Sequence, residues 1–296
     1  MITHPSPAPR PLGKSGLSVS PIAWGMWRFH GDDVAAAQGL IEAALAAGIT
    51  LLDTADIYGI DTDGFGAAEA LLGRVLAVAA ALRDRMVLAT KGGIVPGTPY
   101  DSSPDYLVQA LDASLGRLGI EQVDLWQIHR PDLLAHPQET ARALEDIITS
   151  GKARAIGVSN FTPAQVAALT DFLTMPLAST QPEFSPLHLD PVRDGTLDQA
   201  MALGLAVLAW SPLGGGRLGS GSGEVAKLLA AQGERFDVSS AAATYSWIMT
   251  HPARPIPIVG SQRPERIAEA ADAFRVGWTR AEWYAVLQAS MGEKLP

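Results

Sequence analysis

Eight short apolar runs, each ending in a polar or glycine-containing segment, recur along this chain and constrain its fold more than any other feature. They are Pro21–Gly25, Thr50–Asp53, Met86–Lys91, Val123–His129, Ala155–Ser159, Ser179–Glu183, Leu205–Ser211 and Pro257–Ser261. The runs show little apolar–polar alternation, which suits strands covered on both faces, as in a parallel sheet. Helical patterns lie between them, among them Asp33–Ala47, Ser103–Leu118, Gln138–Ser150 and Pro163–Phe172. Thr162 is placed to cap the helix opened by Pro163, with Gln165 completing a capping box, and Ser103 stands before Pro104 in the same way.

The second, third and fourth runs end at Asp53, Lys91 and His129, which are spaced 38 residues apart. Strand and helix alternating eight times predicts a single (β/α)8 barrel, a TIM barrel, over residues 1–296. Residues 1–15 are expected to form a flexible N-terminal extension. An open doubly wound sheet would need a dinucleotide fingerprint after its first strand, and Pro21–Gly25 is followed by none. The pattern Gly214, Gly216, Gly219 does match such a fingerprint, but it runs into Ser-Gly-Ser-Gly with no strand close behind it. Leu213–Gly223 is instead expected as a mobile loop over the barrel mouth.

The net charge of −9 excludes nucleic acid as a general partner, which would need clustered Lys and Arg. With no cysteine, disulfides and thiolate metal sites are unavailable. The longest unbroken apolar stretch, Val75–Leu82, is far short of a membrane span. The proline-rich start lacks a signal peptide's apolar core, so the expected location is the cytoplasm.

In barrel enzymes the reacting groups sit where strands end at the C-terminal face. Asp53, Tyr58, Lys91 and His129 stand at or just past three successive strand ends. Each has an ordinary structural reading alone: a cap, loop packing, a hydrogen-bonded core histidine. Lys91 is the exception, because an ammonium ending an apolar run faces a partly dry interior and needs a partner. Asp53 on the adjacent strand can neutralise it. Lys91 can in turn act on Tyr58, favouring the phenolate by roughly 4 kcal/mol at about 4 Å and an effective dielectric of about 20. That pull would draw the phenol's pKa down toward working pH, where general acid catalysis is most efficient. His129 could orient a substrate oxygen.

At these residues the sequence resembles the aldo-keto reductase superfamily. The family's tetrad matches Asp53 and Tyr58 within Asp-Thr-Ala-Asp-Ile-Tyr-Gly, Lys91 after Ala-Thr, and His129 in Ile-His-Arg-Pro-Asp. Further matches begin at Gly157 (Gly-Val-Ser-Asn-Phe-Thr-Pro), Ala209 (Ala-Trp-Ser-Pro-Leu) and Gly260 (Gly-Ser-Gln-Arg-Pro-Glu-Arg-Ile). Within the superfamily the chain looks most like the bacterial YdhF-like oxidoreductases, through His-Arg-Pro-Asp, Asp194-Gly-Thr-Leu-Asp-Gln and Leu213-Gly-Gly-Gly-Arg-Leu. The resemblance implies a nicotinamide-dependent reductase of an aldehyde or ketone, with Tyr58 as proton donor, Lys91 and Asp53 tuning it, and His129 orienting the carbonyl. It implies that Ser159, Asn160 and Gln181 hold the nicotinamide amide and that Trp210 stacks on the ring. Ser211, Pro212, Leu213 and Gly214 would follow the pyrophosphate, and Gly25, Met26 and Trp27 would lie near the ribose and substrate.

NADPH is the expected cofactor, with NADH possible. Arg263 and Arg266 flank Pro264 at the start of the last barrel helix, where they oppose the helix dipole unless an anion lies between them. Ser261 and Gln262 stand close enough to help. Many family members that use NADPH carry Lys where this chain has Gly260, and Asn where it has Ala270. Two other readings share the fold. One is a cofactor-binding regulatory subunit with little turnover; the other is an aldolase using Lys91 as a Schiff-base nucleophile, which leaves Ser159, Asn160, Gln181 and Trp210 without a task.

Overall fold

The computed structural model describes residues 2–295. A short antiparallel hairpin, β1 (Arg10–Pro11) and β2 (Ser18–Val19), precedes the barrel. The barrel strands are β3 (Ala23–Gly25), β4 (Leu51–Asp53), β5 (Val87–Gly92), β6 (Val123–Ile128), β7 (Ala153–Ser159), β8 (Ser179–Gln181), β9 (Ala206–Ala209) and β10 (Ile256–Val259). They close in chain order, with β10 returning to pair with β3, and every barrel pairing is parallel. Each of the eight apolar runs supplies one strand.

Alternation along the strands divides the interior into two cores. Leu51, Ala89, Leu125, Leu208 and Ile256 point into the barrel, where small and branched residues interdigitate. Leu52, Leu88, Trp126 and Val207 point outward and pack under the helices. The same alternation turns Asp53, the last residue of β4, and Lys91, the penultimate residue of β5, inward at the C-terminal mouth.

The helices begin largely as their start signals predict. Thr162 and Gln165 form the reciprocal capping box of Pro163–Thr170. Ser103 does occupy the N-cap of Pro104–Leu118, but its side chain makes no capping bond; its N–H donates instead to the Asp101 carboxylate at 2.8 Å.

Two expectations are corrected. Residues 2–15 are not a flexible extension. Leu12, with Leu17 and Val19, plugs the N-terminal end of the barrel and joins its inner core. Thr3 exchanges backbone hydrogen bonds with Trp278 at 2.8 and 2.9 Å. An open barrel end would leave apolar side chains wet, and this segment covers them. Leu213–Gly223 is also more ordered than a mobile loop. It folds through turns at Gly214, Gly215 and Gly216, all at positive φ, into the helical turn Arg217–Ser220, pinned by buried Leu218.

Candidate active site

A cavity of about 610 Å³ opens at the C-terminal ends of the strands. The sequence places Asp53, Lys91 and His129 on β4, β5 and just past β6, and the fold brings them together with Tyr58. The Lys91 ammonium lies 2.7 Å from Asp53 Oδ2 and donates also to the Thr54 carbonyl at 2.7 Å. Gln181 Nε2 donates to the other oxygen, Asp53 Oδ1, at 3.0 Å. Lys91 is fully buried, so this pairing is what makes its charge tolerable. Burial works against the ammonium, yet Asp53 and Tyr58 outweigh it and raise the pKa of Lys91.

Tyr58 forms part of the cavity wall, with the Lys91 ammonium 4.9 Å from its ring centroid. Here the expected electrostatic balance is corrected. Burial of the phenol outweighs the pull of Lys91, and the negative charge of Asp53 adds to it, so the Tyr58 pKa rises. The hydroxyl therefore keeps its proton at neutral pH. Lys91 stands where it would stabilise negative charge on that oxygen once the proton leaves. The His129 ring lies 5.9 Å from that of Tyr58, nearly edge-on. Burial, reinforced by Lys91 and Arg130, lowers the His129 pKa well below its ordinary value. The imidazole is thus neutral, with one N–H donor and one acceptor nitrogen.

On the far wall, Asn160 Nδ2 donates to the His129 carbonyl at 3.0 Å and to Ser159 Oγ at 2.9 Å. Its Oδ1 accepts from Trp210 Nε1 at 2.9 Å. Ser159 Oγ donates to the Gln181 carbonyl at 2.8 Å. Asn160 and Ser211 both adopt left-handed backbone conformations, with φ of 61° and 53°. Non-glycine residues held there carry strain, and such strain gathers at ligand sites. Next to Ser261 of the cavity lining, the buried Oε1 of Gln262 has no hydrogen-bond partner among the described residues. A flat aromatic face, fixed amide and hydroxyl groups and an orphaned acceptor fit a nicotinamide dinucleotide.

Most of the residues expected near a cofactor line this cavity, among them Gly25, Trp27, Ser159, Gln181, Pro212, Leu213, Gly260 and Ser261. Met26 does not: its side chain is fully buried in the outer core. Gly214 and Gln262 are not among the lining residues, though their chain neighbours Leu213 and Ser261 are. Arg263 and Arg266 stand outside it and pair with carboxylates of their own short helix, at 2.6 Å to Glu265 and 2.8 Å to Glu269. Sequence reasoning missed Arg28, Arg130 and Tyr245, which also line the cavity. Arg28 and Arg130 directly follow Trp27 and His129, so adjacency to two named residues was the available signal. Arg130 sits over the Trp210 ring at 5.8 Å.

A further group behind the site was also missed. Asp56 is buried, and neither carboxylate oxygen has a hydrogen-bond partner among the described residues. Burial, with the neighbouring Glu69 carboxylate, pushes its pKa up to about 8. Glu69, itself fully buried, accepts from Thr90 and pairs with Arg117 at 2.7 Å.

The model of the Aldo/keto reductase family matches residues 21–290. The chain belongs to the aldo/keto reductase family. Its members are oxidoreductases of small carbonyl compounds that use nicotinamide cofactors. A 6-dehydroglucose reductase of Novosphingobium aromaticivorans is 60% identical, covering 98% of each chain. The oxidoreductase YdhF of Escherichia coli is 36% identical over 96% of this chain and 98% of its own, in keeping with the resemblance seen in the motifs. A crystal structure of a thermostable aldo-keto reductase in complex with the inhibitor epalrestat superimposes with a TM-score of 0.82. That match covers 95% of this chain and 99% of the other at 23% identity, and so speaks for the fold. No helix among the described residues is long and apolar enough to cross a membrane.

Proposed function

We propose that this aldo/keto reductase reduces the aldehyde of an oxidised sugar, of the 6-dehydroglucose type, with NADPH as the preferred cofactor and Tyr58 as the proton donor. The observation that carries the reading is a protonated phenol on the cavity wall, backed by a buried ammonium–carboxylate pair. The substrate class rests on the relative of that name, 60% identical along nearly the whole chain. The half-exposed Trp27, edge-on to Tyr58 at 5.1 Å, offers an aromatic face to a sugar ring at the mouth.

When bound, the nicotinamide supplies a hydride to the carbonyl carbon. Ser159, Asn160 and Gln181 would hold its amide, and Trp210 would offer its aromatic face to the ring. The carbonyl oxygen takes the electron pair of its π bond and receives the Tyr58 proton. Lys91 stabilises the phenolate left behind, while Asp53 keeps Lys91 charged and fixed. His129, neutral, donates a hydrogen bond that orients the carbonyl. The raised pKa of Lys91 argues against a Schiff-base role, since an ammonium has no lone pair to attack with.

NADPH preference rests on Arg263 and Arg266. Their ion pairs with Glu265 and Glu269 are surface pairs of little intrinsic strength, readily exchanged for a 2′-phosphate.

The test follows cofactor oxidation with 6-dehydroglucose and a panel of simple aldehydes and ketones. Turnover should be fastest with the sugar aldehyde. Tyr58→Phe should lower turnover at least about a hundredfold while leaving cofactor affinity nearly unchanged. Normal cofactor binding with no turnover on any carbonyl would favour the regulatory-subunit reading. Undiminished turnover in Tyr58→Phe would remove Tyr58 from its role.

A further inference from the structure

A second cavity, of about 260 Å³, opens at the N-terminal end of the barrel, opposite the candidate active site. It lies between the N-terminal segment and the turn that leads into β10. Its lining includes Arg10, Arg254, His4 and His251 and no carboxylate. The two arginines bring positive charge together in a chain whose net charge is −9.

Neither arginine forms an ion pair with a carboxylate among the described residues. Arg10 Nη1 donates to the backbone oxygen of Arg254, which ties the N-terminal segment to the turn and brings the two arginines beside each other. Burial, with the charge of Arg254 adding to it, pushes the Arg10 pKa down to about 10. Guanidinium groups are ordinarily answered by carboxylate or phosphate, and here the protein supplies neither.

Both walls are held in place. The Arg254 N–H closes a turn onto the His251 carbonyl at 2.7 Å, and His251 Nδ1 accepts from the Ala253 N–H at 3.1 Å. His251 therefore keeps Nε2 for another partner. Arg254 itself sits at φ 48°, a left-handed conformation that suits glycine and that few arginines adopt. The opposite wall is the segment fixed by the Thr3–Trp278 pairing. A preformed concavity lined by two arginines and by no carboxylate suits an anion.

We propose that this cavity binds a small tetrahedral oxyanion, phosphate or sulfate, free or as a monoester, held by Arg10 and Arg254. The anion would tie the N-terminal segment to the turn before β10 and so stabilise the closed end of the barrel. A ligand that binds only the folded state raises the melting temperature in a saturable way.

Calorimetric melting of the full chain is the test, with inorganic phosphate, sulfate or glycerol phosphate titrated at ionic strength held constant by sodium chloride. All three should give a saturable rise that chloride does not. A tighter response to glycerol phosphate than to inorganic phosphate would identify a monoester as the better ligand. Arg254→Gly removes the cation and relaxes the backbone, so it should fold at least as well, retain carbonyl reduction and respond at least about tenfold more weakly. Arg10→Gln should respond as weakly. An equal rise with chloride, or an undiminished phosphate response in both variants, would overturn the proposal and place any bound anion elsewhere.

Discussion

The large cavity and the short helix outside it are built differently. Inside, Asp53 and Lys91 are buried and satisfied within the protein, by each other, by the Thr54 carbonyl and by Gln181. Outside the cavity lining, Arg263 and Arg266 are exposed, and among the described residues their guanidiniums bond only to glutamates of the helix Pro264–Glu269. The first arrangement is complete without a ligand, as preorganisation for charge developing in a transition state requires. The second can exchange its partners and so answer to a ligand's own charge. Substitutions should therefore act most strongly inside and least on the outer helix.

The largest effect is expected at Lys91. Lys91→Met leaves the Asp53 carboxylate buried and without its cation, and breaking such a pair destabilises by about 3–5 kcal/mol. Carbonyl reduction should fall at least about a hundredfold, and the loss should persist at high pH. Thermal melting and a pH–rate profile check both halves. A variant as stable as the native chain, with an unchanged profile, would break the contrast at its strongest point.

The interior was also the legible part. A lysine closing an apolar strand demands a buried partner, and equal spacing of the strand ends supplied Asp53 and His129 as its neighbours. The strands were readable because both their faces are apolar, and against that background the polar groups that close them, Asp53 and Lys91, stand out. What stayed hidden depends on sums that a sequence does not display. Whether Lys91 or burial governs the Tyr58 phenol is a balance of opposing terms, and burial prevails. Asp56 reads as a loop residue beside Tyr58, yet the turn folds it under the strands against Glu69. The N-terminal prolines suggest an extension, while Leu12 among them is the barrel's plug. Met26 stands between Gly25 and Trp27, which face the cavity, but its own side chain faces the core.

Asp56 tests the interior a second time through pH. Its folded pKa, about 8, lies above the ordinary value of 3.8. Between those values the folded chain holds a proton that the unfolded chain has released. Its contribution to stability is therefore greatest at low pH and declines as pH rises toward about 8, by up to about 1.4 kcal/mol per pH unit. Asp56→Asn removes that dependence. The variant should match the native chain or fall slightly below it near pH 5, and exceed it near pH 8. Melting curves across that range decide the matter, and a constant difference between the two proteins would refute the buried-acid assignment.

The smallest effect belongs to the outer helix. Arg266→Ala removes one charge-assisted contact to the proposed 2′-phosphate, worth about 1.5 kcal/mol, so NADPH should bind roughly tenfold more weakly. NADH, which lacks that phosphate, should bind almost as before. Arg263→Ala should cost less, because Arg263 is the more exposed of the two and its guanidinium is engaged with Glu265 through both Nε and Nη2. The partners sharpen the test. Glu269 competes for Arg266 in the free protein, so Glu269→Gln should release the guanidinium and strengthen NADPH binding a fewfold. Added salt should shrink both effects, since screening at about 0.1 M acts over roughly 10 Å between exposed charges. Dissociation constants for both cofactors, measured at two ionic strengths, give the answer. If Arg266→Ala weakened NADPH and NADH equally, the arginine would serve the helix's structure and not the phosphate, and the cavity and the helix outside it would no longer differ in kind.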